Sequence, residues 1–162
     1  MRNSIFVEPQ HFIDLFEYDA WANGLMIEAL SANGAAVPER ALDLMSHLLR
    51  SQAVWLGRIE DPGRTPPALW ERDDPDACSQ RREQNTGAWL KFLRGSAAGD
   101  LNREVTYATT KGETFTSSIR DILTHVVNHG SYHRAQIAQL IRSTGAAPPQ
   151  TDYILYARSP RS

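Results

Sequence analysis

Residues 117–145 read SSIRDILTHVVNHGSYHRAQIAQLIRSTG, and the period of this stretch decides the fold. Ile119, Ile122, Leu123, Val126, Gly130, Ile137, Leu140 and Ile141 recur at the three-and-four spacing of an amphipathic helix. Ser117 and Ser118 offer N-cap hydroxyls before it, and Gly145 a stop behind it. The same stretch holds His125, His129 and His133, three of the five histidines in the chain.

Working outward, three further helices are predicted. HFIDLFEYDAWANGLMIEAL (11–30) places Phe12, Leu15, Phe16, Ala22, Met26 and Leu30 on one face, and Asn33-Gly34 ends it. Pro38 opens a second helix that runs through ALDLMSHLLRSQAVWLGRIE to about residue 60, where DPGRTPP breaks it. A third, roughly 76–95, has the weakest period, with Trp89, Leu90, Phe92 and Leu93 as its apolar end and Gly95 near its stop. VTYATTKGETFT (105–116) reads as two short strands around a Lys111-Gly112 turn. The tail AAPPQTDYILYARSPRS has a proline stop and one short apolar run. The expected fold class is all-α: a four-helix bundle with a small β-hairpin between helices three and four, residues 1–162 forming a single domain.

A chain of 162 residues with 41% hydrophobic and 22% charged residues has the balance of an ordinary soluble globular protein. Seventeen Lys and Arg against 19 Asp and Glu, with no basic run, argue against a nucleic-acid partner. No apolar stretch approaches a bilayer span, and Glu8 and Asp14 interrupt what would have to be a signal peptide, so a cytoplasmic location without membrane contact is expected. The lone cysteine, Cys78, sits in the acidic, loop-like RDDPDACSQ; it fits a reducing compartment and reads as an incidental small residue rather than a nucleophile.

Histidines four apart on a helix stand one above the other, so two of them can reach one ion. At about 100° per residue, His133 falls inside the apolar stripe, His129 at its edge and His125 further toward solvent. His129 and His133 are therefore the better pair. A catalytic metal site needs a third protein ligand and an open position. His11 starts the first helix, which leaves His47, in the middle of the second, by elimination. Yet the stripe of that helix, Leu42, Met45, Leu49, Gln52, Leu56 and Ile59, is centred away from His47. Helical phase leaves both readings standing, a metal site and satisfied or solvated histidines. Asp19 and Asn23 interrupt the stripe of helix one and should point inward, to orient an imidazole, contact a substrate or make a core hydrogen bond. Arg134 reads either as a partner for a carboxylate or anionic substrate or as a solvated residue.

YDAWANGLMIEAL, MSHLLRSQAVWL, the stretch from Thr106 to Gly145 and PPQTDYILY together resemble the DinB/YfiT-like superfamily of metal-dependent four-helix-bundle proteins. The resemblance implies one divalent ion bound by His47, His129 and His133, with zinc or nickel the first expectation and iron or manganese the alternatives. It departs from the usual HRGQ at Ala135. Relatives that act on low-molecular-weight thiols imply a small-molecule partner and a thiol S-transferase or hydrolase, in which the ion activates thiol or water. The alternative is a metal-binding stress-response protein without turnover. A homodimer is also expected, from the resemblance and from the aromatic content, which includes Trp21, Trp55, Trp70 and Trp89.

Overall fold

Helix boundaries follow local capping chemistry. Pro75 opens one helix behind Asp74, whose carboxylate accepts the Ala77 N–H at 2.8 Å. Ser118 caps another by accepting the Asp121 N–H, and its hydroxyl donates back to the Asp121 carboxylate. The computed structural model describes residues 9–109 and 111–159. Glu8, Thr110 and the last residues of the tail, all part of the sequence reading, lie outside them.

The elements are α1 (Pro9–Asn33), α2 (Glu39–Glu60), α3 (Pro75–Arg94), β1 (Glu104–Ala108), β2 (Thr114–Ser118), α4 (Ile119–Arg142) and α5 (Tyr153–Arg158). The chain is mostly helical, as expected, and the hairpin falls where the alternating Val, Tyr and Thr put it. β1 and β2 pair antiparallel from Glu104↔Ser118 to Ala108↔Thr114. Val105 and Tyr107 turn inward while their neighbours face out. The tail departs from expectation: its apolar run is α5, held by Tyr18, which donates its hydroxyl to the Thr151 carbonyl and packs its ring on Tyr153 and Tyr156. No helix among the described residues is long and apolar enough to cross a membrane.

α1 packs on α3 and α4, and α2 packs on α4 and α3. Two apolar clusters fill the space between them. One joins the N-terminal halves of α1 and α4 to the C-terminal halves of α2 and α3, through Phe16, Leu56, Trp89 and Leu123. The other joins the opposite ends, through Met26, Met45, Leu48, Cys78 and Ile137. α1 and α4 therefore run one way, α2 and α3 the other. Cys78 is thus no loop residue: it is wholly buried in the first turn of α3, and burial raises its thiol pKa to about 11, which makes it inert at neutral pH.

Between the clusters lies a polar layer to which every long helix contributes. Asp19 accepts from Asn23 at 2.8 Å and from Gln52 of α2, and forms an ion pair with Arg134 of α4. Gln52 in turn accepts from Asn85 of α3, which also donates to the Leu49 carbonyl at 2.7 Å. Asp19 and Asn23 do point inward, but they serve Arg134 and Gln52, not a histidine. Arg134 is 1% exposed, so the solvated reading fails and the carboxylate-paired one holds. The carboxylate fits only because residue 130 is glycine: a Cβ there would stand 2.4 Å from Asp19 Oδ1.

Removing one partner from such a pair leaves a buried charge without compensation. Asp19→Asn should lower unfolding free energy by roughly 3–5 kcal/mol. Urea denaturation measures this, and the double variant Asp19→Asn/Arg134→Met should recover part of the loss. A cost below about 1 kcal/mol would mean that the layer contributes little.

Candidate metal centre

α4 carries His129 and His133 on one face, and α2 runs antiparallel to it with His47 opposite. Ring centroids stand 4.4 Å apart for His129 and His133, 5.0 Å for His47 and His133, and 5.3 Å for His47 and His129. One ring nitrogen from each lies within 4.8 Å of the other two. His129 Nε2 and His133 Nε2 are 3.0 Å apart. Two nitrogens bound tetrahedrally at about 2.0–2.1 Å from one ion would be about 3.3 Å apart, so the pair is close to that spacing.

His47 is 8% exposed, which overturns the placement read from the helical wheel. The wheel assumes one buried face, whereas α2 is covered on a second side by the connector of residues 61–74. Arg50 fastens that connector: its guanidinium reaches Asp73 at 2.6 Å, Glu71 at 2.9 Å and the Ala68 carbonyl at 3.2 Å. Arg81 reaches Asp73 as well, and Ser46 accepts the Asp73 N–H at 2.9 Å. The clamp lays Trp70 flat on His47, with ring centroids 3.8 Å apart and planes 10° from parallel. Trp70 itself remains 55% exposed.

Hydrogen bonding sets the ring states. His133 donates Nδ1–H to Gln136 Oε1 at 2.7 Å, which turns its Nε2 toward His129. Gln136 lies one helical turn along α4 from His133. His47 Nε2 has only a 3.5 Å contact to Ser51 Oγ, and its Nδ1 is buried with no hydrogen-bond partner among the described residues. A buried imidazole so poorly satisfied is unusual for a structural residue and natural for a ligand.

Electrostatics point the same way. Burial lowers the pKa of His129 to about 3, with His133, His47 and His125 adding repulsion. Burial and then His133 lower His47; the Leu69 backbone opposes the shift without reaching hydrogen-bond geometry. Both rings are therefore neutral near pH 7, the form that binds metals. His125 stands apart, as the phase suggested. Its ring packs 4.9 Å from Trp55 and 5.4 Å from His129, and it is not one of the clustered donors.

The donor set, the unsatisfied His47 nitrogen and the neutral rings all fit a divalent transition metal. No further His, Cys, Asp or Glu joins the group among the described residues. The sequence profile of the DinB family matches residues 12–161. Protein DinB of Bacillus subtilis (strain 168) is 24% identical over 158 residues, covering 88% of this chain and 91% of that relative. No solved structure matches.

The lowered pKa values have a consequence for the metal-free protein. The unfolded chain takes up protons as pH falls through the unperturbed value of 6.5, while folded His47, His125 and His129, with their pKa values lowered, take up fewer, so stability falls on acidification. For His129 the decline continues to about pH 3. Urea denaturation in chelator at about pH 7.5 and about pH 5 should show a loss, of which His129 supplies on the order of 1–2 kcal/mol. His129→Ala should flatten the slope; an unchanged slope would contradict this account.

Proposed function

The chain belongs to the DinB family, and we propose that it is a metal-dependent enzyme whose ion is held by His47, His129 and His133. We read residues 1–162 as one domain, its four long helices forming a four-helix bundle. The observation that carries the proposal is the donor count: three imidazoles cluster, with no fourth protein ligand among the described residues. Structural zinc sites close with four protein ligands, whereas catalytic sites keep one position open.

A divalent ion there, zinc or nickel first and iron or manganese next, supplies a Lewis acid that brings the pKa of water or a thiol toward neutrality. The chain's own residues do the positioning. Gln136 holds His133 in the tautomer that turns Nε2 inward. Trp70 fixes the plane of His47. Asp19 is engaged with Arg134, Asn23 and Gln52 and is not assigned as a general base. The favoured reaction is transfer of a low-molecular-weight thiol to a small electrophile, or hydrolysis; a cytoplasmic homodimer with a part in stress response completes the reading.

The rival reading, a metal-binding stress-response protein without turnover, differs in whether the fourth position exchanges ligands. Tag-free protein should contain about one divalent ion per chain, lost in His47→Ala and His129→Ala and retained in His125→Ala. In the cobalt form, azide or a thiol should change the visible spectrum. Absence of metal after reloading, or retention in His47→Ala, would defeat the ligand assignment; a spectrum indifferent to added ligands would favour the rival.

A further inference from the structure

Between the last turns of α2, the connector at residues 62–67 and the end of β1 lies a cavity of about 340 Å³. Ala53, Val54, Pro62, Pro66 and Pro67 give it a largely apolar wall, and its charged lining residues are Arg58 and Arg64, with no carboxylate among the described residues that line it.

Arg58 differs from the arginines that form close ion pairs. Arg50, Arg81 and Arg134 each reach a carboxylate oxygen at 2.9 Å or less. Arg58 is partly buried yet has no ion pair or side-chain hydrogen bond among the described residues, and its Nε is buried without a partner. Two ring faces hold it instead: its Cζ stands 4.4 Å from the Trp55 ring and 5.0 Å from the Tyr107 ring. Cation–π contact compensates partly for lost hydration and fixes the guanidinium, but it satisfies none of the N–H donors in the guanidinium plane. A cation so held beside an apolar cavity has no carboxylate partner among the described residues.

We propose that this cavity binds a small organic carboxylate, its charge on Arg58 and its apolar body against Ala53, Val54 and the connector prolines. The guanidinium fork matches a carboxylate. The volume is at the small end of ligand sites, which disfavours nucleotides and other bulky polyanions. A chain of rings leads from the site toward the histidines: Trp55 contacts Arg58, its ring centroid lies 4.9 Å from that of His125, and His129 follows 5.4 Å beyond. A carboxylate bound here would be linked to the triad only through the Trp55 and His125 rings. That last link rests on the metal reading; the binding site does not.

The test is titration of the full-length protein with hexanoate and with 3-phenylpropionate, each against its neutral amide, followed by NMR of backbone amides in the presence of chelator. Signals of Gly57, Arg58, Thr65 and Thr109 should shift saturably, and the acids should bind about tenfold or more tightly than the amides. Arg58→Met should abolish that preference. Gly57→Leu, at a helical position where an added Cβ meets nothing within 4 Å, should fold normally and weaken binding by narrowing the cavity. No saturable binding of either acid, equal binding of acid and amide, an unchanged preference in Arg58→Met, or shifts confined to another face would each overturn the proposal. Chelation keeps the result independent of the metal site, whose failure is read separately by metal analysis.

Discussion

The pairing of Asp19 with Arg134 is the interaction around which the rest of the structure is arranged. It joins α1 to α4 across the middle of the helices, and through Gln52 and Asn85 the same carboxylate is tied to α2 and α3. Apolar packing above and below could tolerate rotation of a helix about its own axis, because Leu, Ile and Met surfaces are interchangeable at low cost. A buried carboxylate with a fixed set of donors cannot. Arg134 follows His133 directly, so the rotation that seats the guanidinium on Asp19 also turns His133 and His129 toward α2. The polar layer thereby sets the geometry of the histidines without touching them.

Most of the helical fold was legible in the sequence because its signals are local. Period, capping serines, prolines and the Lys111-Gly112 turn put the four long helices and the hairpin close to their observed bounds, and phase alone separated His129 and His133 from His125. His47 was not legible. Its burial depends on the connector of residues 61–74 folding back over α2, which rests on Arg50 meeting Asp73, 23 residues away. A wheel drawn for one helix has no means of representing a second covering surface. Elimination and the resemblance to a family both pointed to His47, while the phase of α2 left the question open. Arg134, Gln136 and Trp70 were obscured in the same way, since arginine, glutamine and an exposed tryptophan acquire their roles only from the partners that tertiary structure brings. α5 is short, and its support from Tyr18 is likewise long-range.

The candidate centre joins two kinds of support. His129 and His133 sit on one helix whose orientation is set from the interior. His47 depends in addition on a surface segment, held by a charge cluster of Arg50, Arg81, Asp73 and Glu71. Glu71 is exposed and Asp73 is shielded, so the inner half of that cluster holds the clamp more firmly than the outer half. The same connector forms one wall of the cavity beside Arg58. The third imidazole and the carboxylate-binding cavity thus share one element.

Gly130 limits how the protein can be engineered. Replacing helix glycines by alanine is a common route to thermostability, each exchange gaining up to about 1 kcal/mol through backbone entropy and helix propensity. Gly87, where an added Cβ meets nothing within 4 Å, is open to that treatment. Gly130 is not, because the slot it leaves is filled by the Asp19 carboxylate and a methyl group would displace it. A consensus or propensity-guided redesign that treats the two glycines alike would strengthen α3 while forcing α1 and α4 apart at the level of the histidines.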